Sequence, residues 1–270
     1  MKKIISTLAA TMMAATSFSA FSAFASEENV ISLSSASLNS AITTDDGTVI
    51  PVGATAITVT ISNNTGFYNK SVKFDAGSAD IIVDEAGVPV VDCGSVLKES
   101  VIGASENNGV MMIATASAEI SSGDGDIFTF YVNSNSDDVS VTDVDSVCPA
   151  KNATYAVAGR PYYIIGDIDN DGYINSSDAS FILSAVSRYK EKYHDDVLPV
   201  PLANSDLTYY FPSHTPAKAE VADCNENGYI TRYDAECAMN YYSAMATGKD
   251  ADTDTMGYCG EIRYYDPIKQ

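Results

Sequence analysis

The sequence predicts an all-β jelly-roll sandwich followed by a small α-helical module, and three observations support this fold class. Short segments of alternating polarity, separated by turn residues, fill the region 28–148. Apolar residues at helical spacing appear twice in the region 161–270. Each helical stretch follows a copy of the same twelve-residue pattern. The chain of 270 residues is long enough for two such domains.

The first 25 residues have the composition of a secretory signal peptide. Lys2 and Lys3 precede an apolar run rich in Ser, Thr and Ala, and Ala23-Phe24-Ala25 is a small-x-small cleavage site. The sequence therefore predicts a secreted, extracellular protein. Its formal net charge of -21 argues against nucleic acids and anionic membranes as partners.

The region 28–148 has the strand pattern of a β-sandwich. In segment 56–62 the residues Ile57, Val59 and Ile61 alternate with polar ones, and segment 127–132 alternates in the same way. Turn-forming Gly, Asn and Asp residues separate these segments from six further strand candidates. The candidates are 30–34, 67–74, 81–84, 88–91, 110–116 and 139–144. Strands of this length and number are typical of a sandwich.

The five cysteines leave the redox state open, because an odd number cannot all pair within the chain. Cys93 and Cys148 both lie in the strand region and are candidates for a disulfide in an exported protein. Reduced, buried thiols that pack as small apolar side chains are the alternative.

A linker at 149–160 leads to the repeated pattern. Its first copy, which we call loop 1, is DIDNDGYINSSD (167–178), and its second copy, loop 2, is DCNENGYITRYD (223–234). Both have oxygen-bearing side chains at positions 1, 3, 5 and 12, with Gly at 6 and Tyr at 7. Alternating carboxylates and amides converge on one cation, and the backbone carbonyl at position 7 adds a ligand. The pattern predicts two structural calcium ions.

The predicted calcium ligands come from both loops. Loop 1 has four ligand carboxylates and loop 2 has two, so we expect loop 1 to bind calcium more tightly. Position 9 of loop 1 is expected to reach its ion through water. The ligands are Asp167, Asp169, Asp171, Tyr173, Asn175, Asp178, Asp223, Asn225, Asn227, Tyr229 and Asp234.

A helix is predicted after each loop, at 179–189 and at 235–246. Pro161 and the aromatic and β-branched residues after it do not favour a helix entering loop 1, which an EF-hand requires. The module is therefore loop–helix, twice. The insert 191–222 separates the first helix from loop 2 and contains both histidines.

This tandem, with Gly166-Asp167 opening loop 1 and Asp at position 12 of both loops, resembles the dockerin module of cellulosomes. The strand region resembles a cohesin, the module that binds dockerins. The matching stretches are VGATAITVTISN (52–63), GFYNKSVKFD (66–75), NNGVMMIATASAE (107–119) and GDGDIFTFYVNS (123–134).

A secreted protein with one cohesin and one dockerin resembles a small adaptor scaffoldin, without catalytic activity. The resemblance implies that the dockerin binds a cohesin on a larger scaffoldin, at the cell surface. It also implies that the cohesin binds dockerins of polysaccharide-degrading enzymes, on a sheet face. By resemblance, the dockerin's partner contacts are Ser176, Ser177, Leu183, Ser184, Arg188, Arg232, Tyr233, Met239 and Asn240. Because the two copies differ in these residues, a single binding orientation is expected.

Two other functions stay open. One is a dockerin-borne carbohydrate-binding module, in which Tyr68 or Tyr131 would stack on a sugar, although the chain has no Trp. The other is a small glycan-active enzyme, although the sequence has no nucleophile motif of the GxSxG type.

Overall fold

The computed structural model describes residues 30–44, 47–97, 100–133, 139–144, 162–213, 216, 218–250 and 252–264. The predicted signal peptide, the linker 149–160, Cys148 and His214 lie outside the described residues. Mostly β-sheet with a few helices, the chain folds as a β-sandwich with helices packed on one side. Among the described residues, none forms a helix long and apolar enough to cross a membrane.

The described residues of the N-terminal region form ten strands. They are β1 (Val30–Ser37), β2 (Ile42–Thr43), β3 (Val49–Ile50), β4 (Thr55–Ser62), β5 (Phe67–Asp75), β6 (Val91–Cys93), β7 (Ser100–Asn107), β8 (Val110–Ser121), β9 (Gly125–Val132) and β10 (Ser140–Val144). One antiparallel sheet has the order β1-β4-β9-β6, and the other has the order β10-β5-β8-β7. Strands β2 and β3 form a separate pair.

The two four-stranded sheets enclose an apolar core. Ile57, Val59 and Ile61 of β4 lie in this core, as their alternation predicts. Phe74 of the opposite sheet meets Phe128 of β9 edge to face, with ring centroids 6.3 Å apart. Aromatic pairs of this geometry stabilise a core beyond the area that they bury.

The strand predictions fail at two places. Segments 81–84 and 88–91 contribute isolated bridges at Ile81 and Val83, and only Val91 of these segments belongs to a strand. Strand β7 was not predicted, because the small residues Gly103, Ala104 and Ser105 follow the β-branched pair Val101-Ile102 and leave no alternating pattern. Gly103 lies against a helix, where the close approach favours glycine.

Among the described residues of the C-terminal region there are four α-helices, a 3-10 helix at Ala219–Val221 and four short strands. The helices are α1 (Ser176–Tyr193), α2 (Asn204–Tyr210), α3 (Arg232–Thr247) and α4 (Thr253–Met256). The strands are β11 (Tyr162–Ile164), β12 (Leu198–Pro199), β13 (Tyr229–Ile230) and β14 (Ile262–Tyr264). Strand β11 pairs with β14, and β12 pairs with β13. Helices α1 and α3 include both stretches that the sequence predicts as helical.

A second core lies between the helices and the outer face of the sheet β10-β5-β8-β7. Helices α1 and α3 contribute Ile182 and Tyr242, and strand β8 contributes Met112. The insert 191–222 belongs to the same core through Leu207 and Phe211. Three of the cysteines are buried here (Cys224, Cys237 and Cys259), whereas Cys93 is exposed. The helical region and the sandwich are therefore packed together.

Candidate metal centre and the helix pair

Loop 1 brings three carboxylates to one point. One oxygen from each of Asp167, Asp169 and Asp171 can be chosen such that all three lie within 4.8 Å of one another. Asp167 is buried, Asp169 is half-buried and Asp171 is exposed, so the cluster opens toward solvent on one side. Carboxylate oxygens at this spacing are the ligands that a hard divalent cation prefers.

Backbone N–H groups of the loop hold these carboxylates in place. The Asp167 carboxylate accepts hydrogen bonds from the N–H of Asp171 and the N–H of Gly172, both at 3.1 Å. The N–H of Tyr173 donates to Asp171 at 2.7 Å. Gly172 has a φ of +87°, a backbone conformation that side chains disfavour. The turn at position 6 therefore orients the N–H groups of Asp171 and Gly172 toward the carboxylate of Asp167, the first predicted ligand.

The closing residue of loop 1 also begins helix α1. The fully buried Asp178 accepts hydrogen bonds from the N–H of Ile168 at 2.8 Å and the N–H of Asn175 at 2.9 Å. The Asn175 side chain accepts from the N–H of Ser177 at 2.7 Å, which makes Asn175 the N-cap of the helix. This reciprocal arrangement is a capping box. Loop closure and helix initiation thus depend on the same side chains.

Loop 2 repeats the arrangement almost bond for bond. The Asp223 carboxylate accepts from the N–H of Asn227 at 3.0 Å and from the N–H of Gly228 at 2.8 Å. The Asn227 side chain accepts from the N–H of Tyr229 at 2.9 Å. Asp234 accepts from the N–H of Thr231 at 2.8 Å and completes the capping box of α3. Both loops therefore present their side-chain oxygens in one common geometry.

Burial makes the negative charges of the two loops costly. The pKa of Asp167 is raised to about 6, chiefly by burial and then by repulsion from Asp171 and Asp169. Burial also raises the pKa of Asp234 to about 6 and raises the pKa of Asp223. The pKa of Asp178 lies well above its ordinary value for the same reason. A bound cation would compensate these charges.

The residues present fit a calcium ion. The donor set consists of carboxylate and amide oxygens, which calcium prefers, whereas zinc takes nitrogen and sulfur ligands. Tyr173 and Tyr229 keep their rings largely exposed, consistent with a role for their backbone carbonyls. The Asn175 side-chain oxygen already accepts the hydrogen bond that caps the helix. A water-mediated contact with the ion would use the remaining hydrogen-bonding capacity of this side chain. The calcium sites themselves stay a prediction.

Several predicted partner contacts lie against the chain's own sandwich. The Ser177 hydroxyl oxygen accepts a hydrogen bond from the Asn69 side-chain amide of β5 at 3.2 Å. Arg232 donates to the backbone carbonyl of Ser100, at the start of β7. Met239 is fully buried against Gly103.

The other predicted contacts differ in exposure. Ser176 and Leu183 are buried, Ser184 and Asn240 are half-buried, and Arg188 is exposed. Tyr233 keeps 44% of its surface exposed. Arg232, Tyr233 and Leu183 line an open groove of about 350 Å³ between α1 and the start of α3. Part of the predicted set is thus accessible, and part is covered by the sheet.

The two tyrosines considered for sugar stacking lie in different environments. Tyr131 is buried, and its hydroxyl donates to Asp92. Tyr68 is 47% exposed and lines a cleft of about 400 Å³ beside helix α1. Only Tyr68 of this pair therefore presents a ring to solvent.

Comparison with known proteins gives little guidance. No family model matches the chain, and no curated protein matches it. Among solved structures, the chain is similar to a non-cellulosomal cohesin from the hyperthermophilic archaeon Archaeoglobus fulgidus, at 14% sequence identity and a TM-score of 0.26. The match covers 33% of this chain and 67% of that chain. Function has to be inferred from the loops, helices and sheets of the chain itself.

Proposed function

We propose that this protein is a non-catalytic, calcium-dependent adaptor, of the type of a small adaptor scaffoldin in an extracellular cellulosome. One observation carries the proposal. Helices α1 and α3 begin at two ligand-rich loops and lie together across the face of a β-sheet. A sheet face that accepts a paired loop–helix module is the contact expected between a cohesin and a dockerin.

In this proposal calcium is structural. A bound ion supplies positive charge that offsets the buried carboxylates of each loop. Asp167 and Asp223, fixed by backbone N–H groups, are the first ligands of the two loops. Asp178 and Asp234 close the loops and cap the helices. Calcium binding thus sets where α1 and α3 begin and how they are oriented.

The adaptor role assigns one kind of partner to each half of the chain. The helix pair would bind a cohesin on a larger scaffoldin, and the sandwich would bind dockerins of polysaccharide-degrading enzymes. The exposed Arg232 and Tyr233 are the strongest candidates for the first contact, because Arg and Tyr are enriched among residues that dominate binding energy.

A capture experiment tests this function. The full chain is immobilised and exposed to the secreted proteins of its source organism, in calcium or in EGTA, and bound proteins are identified by mass spectrometry. We expect capture, in calcium only, of proteins with cohesin-like domains or paired twelve-residue loops. The variant Asp167→Asn/Asp223→Asn, tested in calcium, should lose the proteins with cohesin-like domains and keep those with paired twelve-residue loops, which bind the sandwich.

Two outcomes would contradict the adaptor function. Capture of the same proteins in EGTA would show that binding does not depend on calcium. Retention of the full chain on cellulose or xylan, unchanged in EGTA and lost in Tyr68→Ala, would favour the carbohydrate-binding module instead.

A further inference from the structure

The outer face of the sheet β10-β5-β8-β7 differs in composition from its inner face. Strand β8 alternates strictly: Met111 and Ile113 point into the sandwich core, and Met112 and Ala114 point toward the helices. The inner face of the sheet is dominated by large apolar residues such as Phe74. The outer face combines small apolar residues such as Ala114 and Ala116 with the hydroxyl groups of Ser71 and Ser105, which lets helices pack close to the sheet.

Polar groups of this face are bonded to the helix pair. The Tyr242 hydroxyl lies 3.0 Å from the Ser71 hydroxyl of β5. At the C-terminal end of α3, the Thr247 hydroxyl lies 3.0 Å from the Ser105 hydroxyl of β7. The Asn107 side chain donates to the Thr247 carbonyl at 3.1 Å. When the helices leave, water can replace these bonds, which lowers the cost of opening the face.

Gly103 allows helix α3 to approach the sheet closely. A Cβ atom at this position would lie 2.4 Å from the Met239 carbonyl oxygen, well inside van der Waals contact. The φ of Gly103 is outside the left-handed region, so the backbone itself would accept a side chain. The glycine is therefore required only while α3 is in place.

The helices that cover the face begin at the two candidate calcium loops. Asp178 and Asp234 close these loops and form the capping boxes of α1 and α3. Without a cation, the neighbouring carboxylates of loop 1 repel one another. Loss of the cation therefore destabilises the first turn of the helices that lie on the sheet.

We propose that the helix pair α1–α3 is an internal occupant of this sheet face and that calcium keeps it there. The face is closed in the calcium-bound chain, and a helix pair from another molecule has to displace the internal one. Removal of calcium releases the helices while the sandwich stays folded. This inference rests on the calcium sites of the proposed function, but not on the identity of any partner.

Met111 and Met112 test the proposal within one strand. Both are fully buried, Met111 in the sandwich core and Met112 beneath the helices. The full chain is treated with hydrogen peroxide in calcium and in EGTA, and fragment-ion mass spectrometry measures the oxidation of each methionine. We expect Met112 oxidation to accelerate at least tenfold in EGTA, while Met111 stays protected. Equal acceleration at both residues, or protection of both, would overturn the proposal.

A second variant opens the face without chelation. Gly103→Val should displace α3 and expose Met112 even in calcium, with Met111 still protected. Ser32→Val, at an exposed position of β1 in the opposite sheet, is the matched control and should leave both methionines protected. Protection of Met112 in Gly103→Val would contradict the docked arrangement. Titration calorimetry measures separately whether the chain binds calcium. It therefore distinguishes a chain without calcium sites from a chain that binds calcium but keeps its helices docked when calcium is removed.

Discussion

The Asp178 carboxylate accepts a hydrogen bond from the backbone N–H of Asn175, three residues earlier, at a distance of 2.9 Å. The last residue of loop 1 is therefore also the third residue of helix α1. Asp234 and Thr231 have the same relationship at the start of α3, at 2.8 Å. In both copies, the side chain that closes the candidate calcium loop also takes part in the capping box that begins the helix.

Asp178→Ala should therefore weaken both calcium binding and helix α1. It removes a ligand and the capping box, and loss of a cap alone costs about 1 kcal/mol. We expect the tight calcium site to be lost in isothermal titration, and the melting temperature to fall even in EGTA. Glu191→Gln, which removes one exposed charge from α1, is the control and should change neither. An unchanged titration in Asp178→Ala would exclude this residue as a ligand.

The two loops should fill in sequence. Loop 1 has four ligand carboxylates and loop 2 has two, with Asn225 and Asn227 in place of charged residues. Because affinity rises with ligand charge, isothermal titration should show a tight step and a weaker one. Asp167→Asn should remove the first step, and Asp223→Asn the second. Two equal steps in the unmodified protein would contradict the assignment.

Calcium binding should weaken as the pH falls through about 6, the value to which the pKa of Asp167 and that of Asp234 are raised. Protons then compete with calcium for the carboxylates. The calcium-free chain should behave in the opposite way. Since these folded-state pKa values exceed the ordinary 3.8, its stability should decrease as the pH rises from about 4 to about 6.

Thermal melts at several pH values, with calcium and with EGTA, measure both effects. The calcium-induced rise in melting temperature should be larger at pH 7 than at pH 5. A calcium-induced rise that is independent of pH over this range would show that these carboxylates do not hold the ion.

Arg232→Ala/Tyr233→Ala should weaken partner binding and leave calcium binding intact. Both side chains are about half exposed beside the groove between α1 and α3, and neither is a predicted ligand. Loss of two such anchors costs at least 2 kcal/mol in typical interfaces, or about a thirtyfold loss of affinity. The readout is binding to a captured scaffoldin by surface plasmon resonance.

Val49→Ala is the control for this pair, because Val49 is exposed and lies on strand β3, outside the sheet that packs against the helices. Unchanged affinity in the double variant would place the scaffoldin contact on another surface of the helix pair.

The sequence predicts what depends on local spacing. The loops, the helices that follow them and the alternation of β4 are fixed by residues close together in the chain, and the structure has these helices and this strand where they were predicted. Strand β7 and the docking of α3 on it were missed for one shared reason. Their contact uses Gly103 and Ser105, which have weak strand propensity, and the hydroxyl of Thr247 on helix α3, and these residues form no apolar pattern.

The position of the predicted partner contacts also required the structure. Met239 lies on a helix at a spacing that suits an exposed contact, but its burial depends on a strand more than 130 residues away in sequence. Long-range pairings of this kind leave no trace in local periodicity. The burial of predicted partner contacts such as Met239 could therefore not be predicted from the sequence.

Thermal melting of the full chain in calcium and in EGTA tests the central claim most directly, with Asp167→Asn/Asp223→Asn measured alongside. A ligand at a hundred times its Kd stabilises the folded state by about 2.7 kcal/mol. We predict a melting temperature higher by roughly 5–10 °C in calcium for the unmodified chain, and no calcium response in the double variant. Equal melting temperatures of the unmodified chain in calcium and in EGTA would contradict the claim, as would an undiminished response in the variant.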